Sequence, residues 1–220
     1  EPYRRQRQMC IRDRFYMVRM GMLMDTLTLG VTDDKRGMTS AEQIAAVLER
    51  TRALLSERDR IYKALMQELS EYGVEIVRFG SLPDKTQALL EKYFRTNVLP
   101  LLSPQIVGRK QPFPFLQNKA IYAVAALKSK SGGERMGIVP CGGGMLTRLV
   151  PVSGEGKRYV LMEDLIGSLL PQIFPHYKTE NAVLVRLERS ADIEIDDTAA
   201  DVDGMMPDEY RKRMEKLIPV

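Results

Sequence analysis

One stretch of this chain leaves little choice of structure. Across residues 39–73, apolar side chains recur at Ile44, Val47, Leu48, Leu54, Leu55, Ile61, Tyr62, Leu65 and Leu69. Spacings of three and four put them on one stripe of a helix. Thr39 and Glu42 have the T-x-x-E spacing of a capping box, which predicts the start, and Gly73 supplies the stop. At ~1.5 Å per residue such a helix runs roughly 50 Å. A single helix of that length is most easily stabilised in a helical hairpin or bundle.

Its neighbours read as helical too. Residues 15–29 (FYMVRMGMLMDTLTL) are apolar and dense in Met, and Met17, Met20, Met22 and Met24 read as core filling. Residues 30–37 read as a loop. Residues 74–79 alternate like a short strand or extended connector. Ser81 with Pro83 close behind opens another helix through Leu89, Leu90, Tyr93 and Phe94, and Pro100 and Pro104 end it. The helical part therefore covers residues 15–102.

Residues 103–220 have a different pattern. The segments 120–127, 136–140, 146–152 and 182–187 predict strands separated by Gly- or Ser-rich turns. Glu163 and Asp164 open an amphipathic helix between them, and acids in a first turn suit the helix dipole. Residues 210–217 begin a further helix, and no strand or cap then closes the domain. The fold class expected is α+β: an N-terminal helical hairpin or bundle, then an incomplete mixed α+β head with antiparallel strands.

Composition excludes several function classes. The chain is 220 residues with 44% hydrophobic and 28% charged side chains, a globular balance without disorder or low complexity. Its longest apolar run, 121–127, is far below the roughly 20 residues of a membrane helix, which argues against an integral membrane protein. Residues 1–14 hold Arg4, Arg5, Arg7, Arg12 and Arg14 against Glu1 and Asp13, and so account for most of the net charge of +4. The rest is nearly neutral, weak support for a nucleic-acid face. Cys10 and Cys141 are far apart, so no disulfide framework or CxxC metal site forms; a reducing cytosol fits, and no secretory signal opens the chain.

Candidate chemistry is sparse. The only histidine, His176, follows Pro175 at a helix end and has no Ser or Cys nucleophile motif beside it; it reads as a loop residue rather than a general base or phosphoryl acceptor. Gly142-Gly143-Gly144 follows a strand, without a G-x-x-x-x-G-K-[ST], so it reads as a hairpin turn rather than a phosphate cradle. Gly132-Gly133 reads the same way. The acidic stretch from Asp192 to Asp203 has Asp197 where a calcium loop needs Gly, and reads as the solvated end of a strand. Arg50, Arg52, Arg58, Arg60 and Lys63 interleave with Glu49, Glu57 and Asp59, as on a salt-bridged solvent face. No nucleophile–base pair, metal cluster or nucleotide loop emerges.

A family resemblance adds to this. Phe15-Tyr16-Met17-Val18-Arg19, Gly37-Met38-Thr39 before the long helix, Arg58-Asp59 within it, and Tyr93-Phe94 resemble the N-terminal helical domain of bacterial polyphosphate kinase. Leu102-Ser103-Pro104, residues 112–119 (PFPFLQNK), Gly137-Ile138-Val139-Pro140, Glu163-Asp164 and Arg189-Ser190-Ala191-Asp192-Ile193 resemble its head domain. These words keep the family's order and spacing across residues 15–220.

The resemblance implies an enzyme with an N-terminal helical domain, a head domain making dimer contacts, and two C-terminal catalytic domains. It implies reversible transfer of the terminal phosphate of ATP to polyphosphate, through a phosphohistidine in the C-terminal part, assisted by Mg²⁺. ATP and polyphosphate are then the partners, self-association runs through the head, and the location is cytoplasmic or at a membrane as part of a complex. The catalytic histidine lies beyond residue 220, so no catalytic or metal-binding residue is expected in this chain, and it is expected to be inactive alone. The family's Asn-Leu-Asp-Glu before Phe15 holds the ATP base through its Asn. Here Ile11-Arg12-Asp13-Arg14 align with it, so the Asn position is Ile11 and no ATP-binding residue is inherited. Residues 1–14 are therefore expected to be foreign sequence joined to a fragment: domains 1–14, 15–102 and 103–220. The alternative is a stand-alone, non-catalytic dimerisation or interaction module.

Overall fold

The apolar period and capping box locate the first major element. The computed structural model describes residues 15–29, 37–108, 111, 113–130, 132–144, 146–152 and 157–187. A π-helical turn, Phe15–Arg19, leads into α1 (Met20–Leu29). The long helix is α2 (Ser40–Glu71). Its capping box is formed on both sides: the Glu42 carboxylate accepts the Thr39 N–H at 2.7 Å, and the Thr39 hydroxyl accepts the Glu42 N–H at 3.3 Å. The Thr39 N–H, then the Thr39 hydroxyl, hold the Glu42 carboxyl below its usual range. Gly73 ends the helix at φ 71, with its N–H on the Ser70 carbonyl at 2.9 Å. Only glycine adopts that backbone without cost.

The chain divides into two compact units, with the division inside α2 after Leu65. In the first, α1 runs antiparallel to the start of α2. Tyr16 Oη meets Thr51 Oγ1 at 2.7 Å, and Ser40 donates to Thr26 Oγ1 at 3.0 Å. Leu23 is its one buried large apolar side chain among the described residues. Met22 and Met24 are 50% and 41% exposed, contrary to the core role expected of them. They flank Leu23 on α1, and a two-helix contact covers only the face between the helices.

The second unit is α+β. β1 (Val74–Ile76) is followed by a 3₁₀ turn at Phe79–Ser81 and α3 (Asp84–Tyr93), with Pro83 at the N-cap. A π turn at Phe94–Val98 and a 3₁₀ turn at Leu99–Leu101 extend it to the prolines. Then come β2 (Gln105–Val107), β3 (Ile121–Ser129), β4 (Glu134–Pro140), β5 (Leu149–Pro151), β6 (Lys157–Leu161), α4 (Met162–Ser168), α5 (Leu170–Ile173) and β7 (Tyr177–Arg186). The larger sheet is antiparallel, in order β2-β4-β3-β7. The smaller has order β1-β6-β5, with β1 parallel to β6.

Strand β3 explains the core. Ala123, Ala125 and Leu127 pack with Phe94, Val98, Leu165, Ile166 and Phe174, whereas Tyr122 and Val124 pack with Phe113, Leu116 and Ile138. Both faces are covered, so the strand is apolar throughout rather than alternating. Phe79, Leu82 and Leu90 join the first cluster, so residues between α2 and β2 pack with the sheet. Gly137 on β4 lets this happen. A Cβ there would sit 2.8 Å from Leu127 Cδ1 and from the Phe174 ring.

Candidate functional site

The most constructed polar arrangement lies at the start of α4. Glu163, with a side chain 6% exposed, accepts two bonds from Arg148, from Nε at 2.8 Å and from Nη2 at 2.6 Å. Two donors on one carboxylate oxygen stabilise its charge where water is excluded. The next residue, Asp164, accepts the Phe79 N–H at 2.7 Å and so ties the 3₁₀ turn to α4. Both acids stand in the helix's first turn, the favourable end of its dipole. Nearby, Arg158 on β6 meets Glu75 on β1 at 3.3 Å. These groups fasten the short parallel pair to the helix. They hold and orient; none presents a nucleophile beside a base.

Sequence reading marks Glu163 and Asp164 as helix-opening acids and misses Arg148. A partner fifteen residues upstream across a strand leaves no local spacing to recognise.

The other candidates do not come together. His176 is exposed in the turn before β7. Gly143 and Gly144 have φ of 100 and 61, and Gly143 bridges Leu146, as in a tight turn. Gly132 closes the β3–β4 hairpin through its N–H on the Ser129 carbonyl at 2.9 Å. Cys141 is buried, and burial raises its thiol to about 12. It stays protonated and donates toward the Val139 carbonyl at 3.6 Å, which makes it a packing residue rather than a nucleophile. On α2, Arg58 pairs with Asp59 at 2.6 Å and Arg60 with Glu57 at 2.7 Å, all on the solvent side.

Ile11, the acidic stretch from Asp192 to Asp203 and residues 210–217 lie outside the described residues. Among the described residues no group of three or more His, Cys, Asp or Glu could hold a metal ion. No described helix is long and apolar enough to cross a membrane.

Comparison with known proteins gives a consistent result. A family model described as "Polyphosphate kinase middle domain" matches residues 85–217, and one described as "Polyphosphate kinase N-terminal domain" matches residues 9–77. The polyphosphate kinase of Halalkalibacterium halodurans is 30% identical over 209 residues, which cover 91% of this chain and 30% of that protein. That of Prosthecochloris aestuarii is 31% identical over 198 residues, covering 86% and 28%. The crystal structure of polyphosphate kinase from Porphyromonas gingivalis superposes with a TM-score of 0.62 at 19% identity, over 82% of this chain and 27% of that one. At that identity the likeness is one of fold. The chain spans about 30% of the length of these curated relatives.

Proposed function

Since this chain belongs to the polyphosphate kinase family, we propose that it is the front part of an enzyme that reversibly transfers the terminal phosphate of ATP to polyphosphate. One observation carries the reading. The N-terminal and middle-domain matches follow one another in order along the chain, while the chain covers only 30% of a relative such as the Halalkalibacterium enzyme.

The phosphoryl-accepting histidine, the metal site and the groups holding ATP then belong to polypeptide beyond this chain. His176, exposed in a turn, does not match the family's histidine in sequence position. The chain's own contribution is scaffolding. The front of the chain supplies the helical domain, and the rest supplies the head, whose core also takes in residues between α2 and β2; through the head the enzyme associates with itself in the cytoplasm. The residues of the Arg148–Glu163 pair position the head's short sheet and react with nothing. Transfer of a phosphoryl group needs positioned positive charge and a nucleophile in line with it, and this chain is assigned neither.

Incorporation of label from γ-labelled ATP into acid-insoluble polymer tests the reading. The purified chain is expected to incorporate none, and the gene's uninterrupted reading frame is expected to encode a product that does. Incorporation by the chain alone would place catalytic groups within it. An inactive product from a frame that ends at Val220 would leave the family fold with an interaction role.

A further inference from the structure

We infer that a register break in β7 is a guard, which keeps the one long outer edge among the described strands from accepting a strand of a second copy. This goes beyond the phosphotransfer reading and does not depend on it. Four strands stand at the ends of the two sheets, β2 and β7 in the larger, β1 and β5 in the smaller. β1, β2 and β5 have three residues each, whereas β7 has ten. An outer strand turns a row of N–H and C=O groups away from its neighbour, and that row is a template for a further strand. Brevity blunts the three short edges. β7 has no such protection: ten residues at ~3.3 Å each make an edge of roughly 33 Å.

Its composition also favours pairing. Ala182, Val183, Leu184 and Val185 follow one another, and Leu184 is 48% exposed. Among the described strand pairs, the ladder is interrupted only here. Ala125 pairs with Ala182 and Leu127 with Thr179, so Glu180 and Asn181 together stand opposite Ala126. The same stretch of β3 pairs with β4 without a break, from Tyr122 to Lys128. The irregularity therefore belongs to β7 and is not imposed by β3. One extra residue on one strand is a β-bulge, which bends that strand and sharpens its twist. It divides the edge into residues 177–179 and 182–186, and a straight incoming strand cannot follow both. Lys178 and Glu180, exposed and 3.5 Å apart beside the break, add the charges that also discourage strand addition.

Deletion of Asn181 gives β7 a regular ladder and keeps both charges. Amide hydrogen exchange of the whole chain, at low and high micromolar concentration, reads the outcome. Wild-type residues 182–186 are expected to exchange at the same rate at both concentrations. In the deletion variant they are expected to slow about tenfold or more on concentration, as new cross-strand bonds protect them. Adding Leu184→Lys to the deletion is expected to abolish that slowing. Asn181→Ala loses the side chain but keeps the extra residue, and is expected to behave as the wild type. Exchange independent of concentration in a folded deletion variant overturns the inference. So does slowing in the wild type, which would mean an unguarded edge, or in Asn181→Ala, which would make the side chain the guard. Should the deletion prevent folding, Lys178→Thr with Glu180→Thr decides. The bulge is kept and the charges are gone, so residues 182–186 are expected to stay indifferent to concentration; slowing would make the charges the guard and overturn the inference.

Discussion

Strand β3 and the outer half of α2 are both rich in large apolar side chains, and they meet opposite fates. Val124 and Leu127 are 0% and 1% exposed, whereas Leu54 and Ile61 are each 53% exposed. Hydrophobicity does not separate them; the supply of partners does. A sheet strand offers two faces, and β3 finds α4, α5 and the Phe94 turn on one and the Phe113–Leu116 segment on the other. A helix offers one stripe, and α1 covers only its first few turns. The second unit therefore builds a core from its own residues, while the first leaves much of its stripe exposed.

This contrast can be broken or sharpened by substitution. The largest effect is expected from Phe94→Ala, which empties a fully buried site and should cost about 3–5 kcal/mol in urea denaturation. Leu54→Ala also removes apolar atoms, three carbons against the six of Phe94→Ala, but from a side chain 53% exposed, and should stay within about 0.5 kcal/mol. Equal costs would erase the distinction. Next comes Gly137→Ala, expected to lose about 1–3 kcal/mol by overpacking, because its Cβ meets Leu127 and Phe174 at 2.8 Å. A neutral result would mean that the strand can shift.

Arg148→Ala is expected to cost about 1–2 kcal/mol, since it strips both donors from the buried Glu163 carboxylate and leaves its charge uncompensated. Adding Glu163→Gln should recover part of that loss, and a full loss in the double variant would point to packing instead. A more modest loss is expected at the helix start. Thr39→Ala removes a capping box and should cost about 1 kcal/mol. Because the Glu42 carboxyl is depressed by Thr39, its share is present above the ordinary carboxylate range and lost as pH falls through the depressed value. Helix content followed by circular dichroism during acid titration should show this step in the wild type and a smaller one in the variant, which keeps the residue-39 N–H on Glu42 and loses only the hydroxyl.

How far the fold was legible follows the same logic. The period and capping box of α2, the β3–Gly132–β4 hairpin and the acids opening α4 each have a local signal, and each is where the pattern predicts. β2 and β6 lie outside the predicted strands. β2 is three residues long, too short for a period, and β6 (KRYVL) mixes charge with apolar groups because only Val160 is fully buried. β7 starts at Tyr177, five residues before the apolar run that predicts it, since Lys178 and Glu180 are exposed on an edge strand. Met22 and Met24 read as core because composition records how apolar a residue is, not whether a neighbour reaches it. The family was legible in words such as PFPFLQNK and RSADI, although no chemistry was. The side chains that do the most fastening here, Arg148 and Glu163, are joined by the tertiary fold and by no motif.

Amide hydrogen exchange followed by mass spectrometry tests the central contrast most directly. Amides of β3 and β4 should be strongly protected, because their partners lie within the chain. Those of residues 52–65 should exchange much faster, because their apolar side chains are half exposed. Protection of residues 52–65 equal to that of β3 would contradict the account, since the helix would then already have its cover.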